Sequence, residues 1–587
     1  MTATRPEKVS HPWRVLGVVV LAALLPQLPY LQAYFFMDDF WHLARLRQGN
    51  YIFTSWTVPR EAIDALWYMS RQIWPSMAWV EKIEFYFRPL TLVLLDLDRQ
   101  VFGFWAPGYH AHSILWHLAN VLLLFTLLRR LGLGIFASGL AASAFGMHPL
   151  GAQPVGWVSS RCDLITTAFM LLGTLAYLNW RESGRLRDAV WHLLALLAAL
   201  LSKEHAAALP FVLLAFELGV RWRTEGTRPP WSLRWLPGLL IAVGFVGWRI
   251  AQSGDAHTWS MPRENFNAFM NVGPLPALGY NLVEYARLSF LGFPARSFVA
   301  DDPAAAWHVL VLFLALAVWA CGAFRSLGKP GLLLWLYSAG LLGAMLWIPA
   351  GGRYLYPAAP GLAGLLALGV EHLQRQKRVW KRAGFTVLFL VLSWLCCMAL
   401  LSAFMARESG RHIETVLNRI TDEVRARPEA TDLYLLHLWP MLVSSEALLP
   451  DLTERPDLKI HILTYRSSLY NPALAKWHER LTDIPGIYNP KWNQPLTITT
   501  EGLDVDKLSV KSEPVGFFSG PASFGWHSLS LPVKPGQEIK LAELGVRFGQ
   551  VHGDGVRRLM FTLPRPLTDP KNLFLIWNQG RIEVWKP

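Results

Sequence analysis

Phe36-Met37-Asp38-Asp39-Phe40-Trp41-His42 is the stretch on which the reading of this chain turns. The apolar run Trp13 to Phe36 leads directly into it. At about 1.5 Å per residue, that run is long enough to cross a hydrocarbon core of about 30 Å. Two adjacent carboxylates are too costly to leave in hydrocarbon, so they belong at the membrane surface. Phe36, Phe40 and Trp41 suit the aromatic belt found there. The run passes into Tyr34, Phe35 and Phe36 without a small-x-small cleavage site, so an uncleaved first span is expected. Asp38-Asp39 then reads as the catalytic edge of a membrane enzyme working on the outer face.

Working outward, apolar runs of spanning length recur up to residue 405. With the first, at 14–36, they fall at about 109–129, 133–148, 160–180, 188–202, 204–221, 233–250, 306–323, 331–348, 354–372 and 383–405, which makes eleven. The run Leu275 to Phe293 carries Glu284 and Arg287 and is expected to lie in the interface. The 587 residues are 53% hydrophobic with mean hydropathy +0.27, which excludes an ordinary soluble protein. The 28 tryptophans fit many helix ends at lipid–water boundaries.

The net charge of +13 gathers in short connections, where it acts as an orientation signal rather than a nucleic-acid surface. With the N-terminus inside, the cytoplasmic connections carry Arg129 and Arg130; Arg181, Arg185 and Arg187; Arg221, Arg223, Arg228 and Arg234; Arg325 and Lys329; and Arg375, Lys377, Arg378, Lys381 and Arg382. The alternate short connections carry only Arg161, Lys203 and Arg353. This asymmetry predicts a multi-pass protein of the cell (inner) membrane with a cytoplasmic N-terminus. The four cysteines have no metal-ligand spacing, and Cys396-Cys397 reads as small apolar filler.

The expected fold class is a polytopic α-helical membrane protein with about eleven transmembrane helices and a C-terminal soluble α+β domain. Residues 1–410 form the membrane domain, with long outer loops at 37–108 and 251–305. The composition shifts after residue 405, and residues 411–587 read as a soluble, strand-rich, extracytoplasmic domain. It opens on an amphipathic helix at 411–428. Strand-like runs follow at Leu433–Leu438, Leu458–Thr464, Leu496–Thr500, His527–Val533, Arg558–Leu563, Leu573–Trp577 and Ile582–Trp585.

Costly polar residues mark function in such a chain. Three short outer connections hold them: Met147-His148-Pro149 through Ser160-Arg161-Cys162-Asp163, then Ser202-Lys203-Glu204-His205, then Gly352-Arg353-Tyr354-Leu355-Tyr356-Pro357. On the deduced topology all three face the side of Asp38-Asp39. A carboxylate there can take a proton from an attacking hydroxyl. Arg353, Arg161 and Lys203 can hold a phosphate leaving group and stabilise its developing charge. The matching substrate is a lipid-anchored sugar phosphate. Each residue also has a plainer reading. Asp38-Asp39 reads as a helix N-cap, Lys203-Glu204 as an interfacial pair and His148-Pro149 as a turn. Arg161 and Asp163 read as a helix start, and Arg353 with its tyrosines as an interfacial anchor. His110, His112 and His117 read as packing residues, and Asp96 and Asp98 as a solvated helix face after Pro89.

Taken in order, Asp38-Asp39-Phe40-Trp41, Phe87-Arg88-Pro89-Leu90-Thr91, His110 to His117 with Asn120, His148-Pro149, Ser160-Arg161-Cys162-Asp163-Leu164, Lys203-Glu204 and Arg353-Tyr354-Leu355-Tyr356-Pro357 resemble the GT-C glycosyltransferases. The set is most similar to the transmembrane O-mannosyltransferases and their bacterial relatives, and covers roughly residues 14–372. The resemblance implies the GT-C fold and inverting transfer of a sugar from a polyprenyl-phosphate donor to a hydroxyl acceptor at the outer face. It implies Asp39, with Asp38 beside it, as the base. It implies Arg353, Tyr354 and Tyr356 near the donor phosphate, with Lys203, Glu204, Arg161, Asp163, His148 and Arg88 lining the site. The chain departs from the pattern in having Gln153 where an acidic residue is usual and Ser160 where glycine is usual. Residues 411–587 show no tetratricopeptide repeats, which leaves the acceptor open among protein, lipid and polysaccharide.

No cofactor is expected: a divalent ion at Asp38-Asp39 would lack a third ligand at suitable spacing. The expected partners are a polyprenyl-phosphate-linked sugar, a hydroxyl acceptor and membrane lipid, with no nucleic acid. The alternative is a transporter or flippase of lipid-linked glycans. It would call for charges near the bilayer midplane and paired repeat halves, and Glu217 lies instead near the inner end of its run.

Overall fold

The computed structural model describes residues 12–35, 38–46, 87–223, 233–252, 281, 282, 285, 286, 288, 289, 328–346, 352–437, 442, 445, 448–463, 497–513, 535–541, 544–552, 555–578 and 581–586. Its longer helices are α1 (Pro12–Leu24), α2 (Asp38–Leu46), α3 (Pro89–Phe102), α4 (Ala106–Arg130), α5 (Ile135–Gly146), α6 (Arg161–Ser183), α7 (Leu186–Leu200), α8 (Ala208–Arg223), α9 (Leu236–Gln252), α10 (Lys329–Met345), α11 (Ala359–Gln374) and α12 (Arg378–Arg425). Among the described residues, Trp13–Gln32, Ala106–Arg130, Val158–Ser183 and Arg378–Arg425 are long and apolar enough to cross a membrane. The predicted span 133–148 contains a helix of only 12 residues, α5. That is about 18 Å, short of a ~30 Å hydrocarbon core. The predicted span 306–323, most of the loop 251–305, and residues 47–86 lie outside the described residues.

Starts and stops of the helices follow local chemistry. Proline occupies the first turn of α3, α4, α10 and α11, where its missing N–H costs nothing. Gly184 ends α6 at φ 67°, a left-handed turn that reverses the chain into α7. Apolar side chains also point outward, among them Trp191 and Leu194 of α7, Leu240 and Val243 of α9, and Val387, Phe389 and Leu390 of α12. In water such exposure is costly, whereas lipid tails accept it.

α12 is a single helix of 48 residues. It runs unbroken across the 410/411 boundary expected from composition, so the amphipathic helix read at 411–428 is the second half of the last apolar helix. Its buried face there is Ile413, Val416, Leu417, Ile420 and Val424, one stripe at helical spacing.

The chain then forms β1 (Asp432–Leu436), β2 (Lys459–Ile462), β3 (Thr497–Asp504), β4 (Lys507–Glu513), β5 (Glu538–Leu541), β6 (Leu544–Phe548), β7 (Val551–His552), β8 (Gly555–Val556), β9 (Arg558–Thr562), β10 (Asn572–Asn578) and β11 (Arg581–Val584). One sheet has the order β11-β10-β1-β2, with β1 parallel to both β10 and β2 and β11 antiparallel to β10. The second is antiparallel in the order β3-β4-β9-β6-β5, and β7 pairs with β8. The run read as strand at His527–Val533 lies outside the described residues.

Two cores organise the described residues. The larger joins α1, α4 to α8, α10 and α11 through residues such as Val121, Leu171, Leu213 and Leu334. The second joins α2 (Phe40, Leu43, Leu46) and α3 (Leu92, Leu95) to the far half of α12 and to Leu433, Leu435, Leu573 and Leu575 of the first sheet. The acidic helix α2 is therefore seated in the same apolar cluster as the C-terminal sheet. The segment just before α2 approaches α12 closely: a Cβ on Gly410 of α12 would come within 2.3 Å of the Tyr34 backbone nitrogen.

Candidate functional site

Seven residues, Trp157 to Asp163, leading into α6, touch four of the polar residues picked out from other parts of the sequence, Asp39, Arg353, Lys203 and Arg88. Their own backbone is fixed by short helical turns at Ala152–Gly156 and Val158–Ser160.

At the near end, Asp39 of α2 is 1% exposed. Its Oδ1 accepts the Ser159 backbone N–H at 2.7 Å and also the Ser159 hydroxyl. Two such donors hold a carboxylate in one orientation. The Asp38 side chain lies outside the described residues. His42, one turn along α2, is buried, and burial together with the nearby Arg88 charge pushes its imidazole down to about 3.

Arg353 reaches the same loop from the other side. Its guanidinium carbon lies 4.3 Å from the Trp157 ring centroid and 4.8 Å from that of Tyr354. It also donates to the Tyr354 hydroxyl at 2.8 Å. The Arg353 backbone N–H donates to Gln153 Oε1 at 3.0 Å. Stacking of this kind orients a guanidinium without cancelling its charge.

Asp163 and Lys203 close the far end. Lys203 Nζ donates to Asp163 Oδ1 at 2.6 Å, and both side chains are buried. Burial is the largest single influence and would lower the Lys203 ammonium, but Asp163, with Cys162 and Tyr354 behind it, together outweighs burial and holds the pKa above its ordinary value. The same ammonium lies 5.1 Å from the centroid of the Tyr354 ring, so Tyr354 has Lys203 and Arg353 against it. Arg88, just before Pro89 of α3, forks onto Glu204 with contacts of 2.7 and 3.1 Å and approaches Cys162 Sγ at 3.7 Å. The start of α3 is itself tied to this connection: the Leu90 N–H donates to the Leu201 carbonyl at 3.2 Å and the Thr91 hydroxyl to that of Ser202 at 3.1 Å.

Three expected residues are engaged elsewhere. Arg161, 1% exposed, turns into the bundle. It donates to the Ser113 hydroxyl at 2.9 Å, the Tyr109 carbonyl at 2.6 Å and the Asp98 carboxylate. Asp98, read as a solvated position, is buried with this partner and with His112 Nδ1 at 2.6 Å. The reason is physical: a fully buried guanidinium needs a carboxylate, and α3 presents one to it. Tyr356 is buried and holds His117 Nδ1 at 2.8 Å and the Asn120 amide at 3.3 Å. His148 accepts the Leu150 N–H at Nδ1, 3.1 Å away, which leaves Nε2 to donate to the Ser289 carbonyl at 2.9 Å.

Sequence reasoning missed Ser159, Trp157 and His42. Helical spacing from Asp39 could have found His42, whereas nothing in the sequence signals the other two. Among the described residues no group of three or more His, Cys, Asp and Glu side chains is arranged to hold a metal ion.

Over 138 residues the chain is 34% identical to Protein O-mannosyl-transferase Tmtc2 of Drosophila melanogaster, covering 22% of this chain and 15% of that protein. Over 259 residues it is 27% identical to Protein O-mannosyl-transferase Tmtc1 of the same organism, covering 42% of this chain and 26% of that protein. Among solved structures, the apo oligosaccharyltransferase of Archaeoglobus fulgidus aligns with a TM-score of 0.45 at 13% identity, over 84% of this chain and 70% of that one. No protein-family model matches the chain. The named relatives are glycosyltransferases, the class that the ordered motifs resemble, and the matched segments span only a small part of the two O-mannosyl-transferases.

Proposed function

We propose that this chain is a multi-pass glycosyltransferase of the cell (inner) membrane. It moves a sugar, with inversion, from a polyprenyl-phosphate donor to a hydroxyl acceptor at the outer face. The observation that carries the reading is the Trp157–Asp163 segment, which holds Asp39 by one end, Arg353 by its ring, and Lys203 by the other end. Counting the segment itself, four widely separated parts of the sequence meet there.

In this reading Asp39 takes the proton of the acceptor hydroxyl as its oxygen attacks the anomeric carbon. The bond from that carbon to the phosphate oxygen breaks, and polyprenyl phosphate leaves carrying the electron pair. Arg353 meets the charge growing on the phosphate, aided by Lys203 and Arg88, whose own carboxylate partners keep them oriented. Asp38 lies beside the base. Arg161, Tyr356 and His148 hold the loops that carry the site. The proposed topology keeps eleven apolar segments in the membrane, the short α5 among them, with residues 411–587 on the outer side.

The test is Asp39→Asn, alone and with Asp38→Asn, assayed for sugar transfer in correctly inserted protein. Loss of a general base of this kind costs about 10²- to 10⁴-fold. Full activity in the single and the double variants overturns the mechanism. A transporter is separated by a second readout: only a transferase, purified alone, releases polyprenyl phosphate from a sugar-charged donor.

A further inference from the structure

His205 follows directly on Lys203 and Glu204, in the short turn Glu204–Ala207. Its side chain is 8% exposed, and neither ring nitrogen finds a hydrogen-bond partner among the described residues. A buried polar atom left without a partner costs free energy, and two on one ring at a candidate site call for a reason. The ring is not remote from the chemistry. The charges of Lys203, Asp163, Glu204 and Arg88 all act on it. Those four already pair among themselves, Lys203 with Asp163 and Arg88 with Glu204. No carboxylate of the four is left over to hold a second proton on the imidazole.

A neutral imidazole offers one donor and one acceptor. That pattern suits a sugar hydroxyl, which both gives and takes a hydrogen bond, and suits a phosphate poorly, since a phosphate only accepts. We infer that His205 is a sugar-binding residue, hydrogen-bonding hydroxyls of the glycosyl group carried by the lipid phosphate; this rests on the glycosyltransferase reading above. His205 thereby reads the sugar while the cations beside it hold the phosphate.

The experiment compares binding of polyprenyl phosphate alone with that of polyprenyl phosphate bearing mannose or glucose, using full-length purified protein. His205→Phe fills the same volume without ring nitrogens, and His205→Gln restores a donor and an acceptor. The expected result is that His205→Phe weakens binding of a hexosyl lipid about 10- to 100-fold, as loss of one or two hydrogen bonds predicts. Bare polyprenyl phosphate should bind as before, and His205→Gln should recover most of the loss. Equal weakening of both ligands, unchanged binding of both by His205→Phe, or a wild-type protein with no preference for either hexosyl form overturns the inference. A wild-type protein that binds no polyprenyl phosphate at all overturns the glycosyltransferase reading itself, so the two failures are distinct.

Discussion

Asp39 and Arg353 meet one loop two residues apart: the carboxylate accepts the Ser159 N–H at 2.7 Å, and the guanidinium lies 4.3 Å from the Trp157 ring centroid. Any change in the Trp157–Ser159 backbone therefore moves the proposed base and the proposed phosphate ligand together. Ser159→Ala removes the hydroxyl that Asp39 accepts from Ser159 and leaves the Ser159 backbone N–H in place. A hydrogen bond to a charged group contributes about 1.5–3 kcal/mol, so turnover should fall about 10- to 100-fold. Steady-state kinetics at saturating donor check this; an unchanged kcat would show that the Ser159 hydroxyl does not orient the base.

The Lys203–Asp163 pair should respond to single and double substitution in opposite ways. Lys203→Met leaves a buried carboxylate uncompensated, at a cost of about 3–5 kcal/mol. Lys203→Met with Asp163→Leu should recover most of that stability and still fail in sugar transfer. Thermal unfolding in detergent, with a transfer assay on the same samples, measures both.

Arg161 and Arg353 are predicted to separate stability from activity. Arg161→Lys cannot reproduce three buried contacts and should lower stability by about 3 kcal/mol, while kcat/KM per folded molecule stays within about threefold. Arg353→Lys should leave unfolding unchanged and weaken donor use at least about tenfold, because an ammonium cannot stack and fork as a guanidinium does. The reverse pattern would exchange their roles.

His42 predicts a direction of pH dependence. Its folded pKa, about 3, lies below the ordinary histidine value of about 6.5. The unfolded chain therefore takes up a proton that the folded chain refuses, so stability is full above about pH 6.5 and is lost as pH falls from there towards 3. His42→Phe should flatten that part of the stability profile, measured by denaturant unfolding at stepped pH.

Gly410→Ala should destabilise the seat of the acidic helix. The added Cβ would lie 2.3 Å from the Tyr34 nitrogen and 2.9 Å from the Ala33 Cα, both backbone atoms that cannot swing away. Overpacking of this kind costs about 1–3 kcal/mol. Hydrogen exchange should rise in α2 and the neighbouring turn, and transfer should fall with it.

Much of this site was legible because its motifs are polar residues in an apolar chain, where each one needs a reason. Arg88, Lys203, Glu204, Asp163, Arg353 and Tyr354 were all singled out, and they lie together. What the sequence could not say is which partner each charge takes. Arg161 and Asp98 pair across 63 positions, and no local pattern signals a contact of that range. Asp98 looked solvated because its own helix is amphipathic, yet the facing α6 supplies a cation. The continuity of α12 across position 410 was hidden for a related reason. Composition changes there, but helix propensity does not, and Gly410 at that point is required by close packing rather than by a turn.

The unbroken α12 has a mechanical consequence. At 1.5 Å per residue its 48 residues form a rod about 72 Å long, its apolar first half largely exposed and its second half packed in the core that also holds the first sheet and α2. In the proposed topology its apolar first half lies in lipid, and a thicker or thinner bilayer would then change the tilt of that rod. Such a tilt would bear on Ala33 and Tyr34, which Gly410 meets five residues before Asp39, so in that topology the acyl-chain length of the host lipid would act as a dial on the position of Asp39.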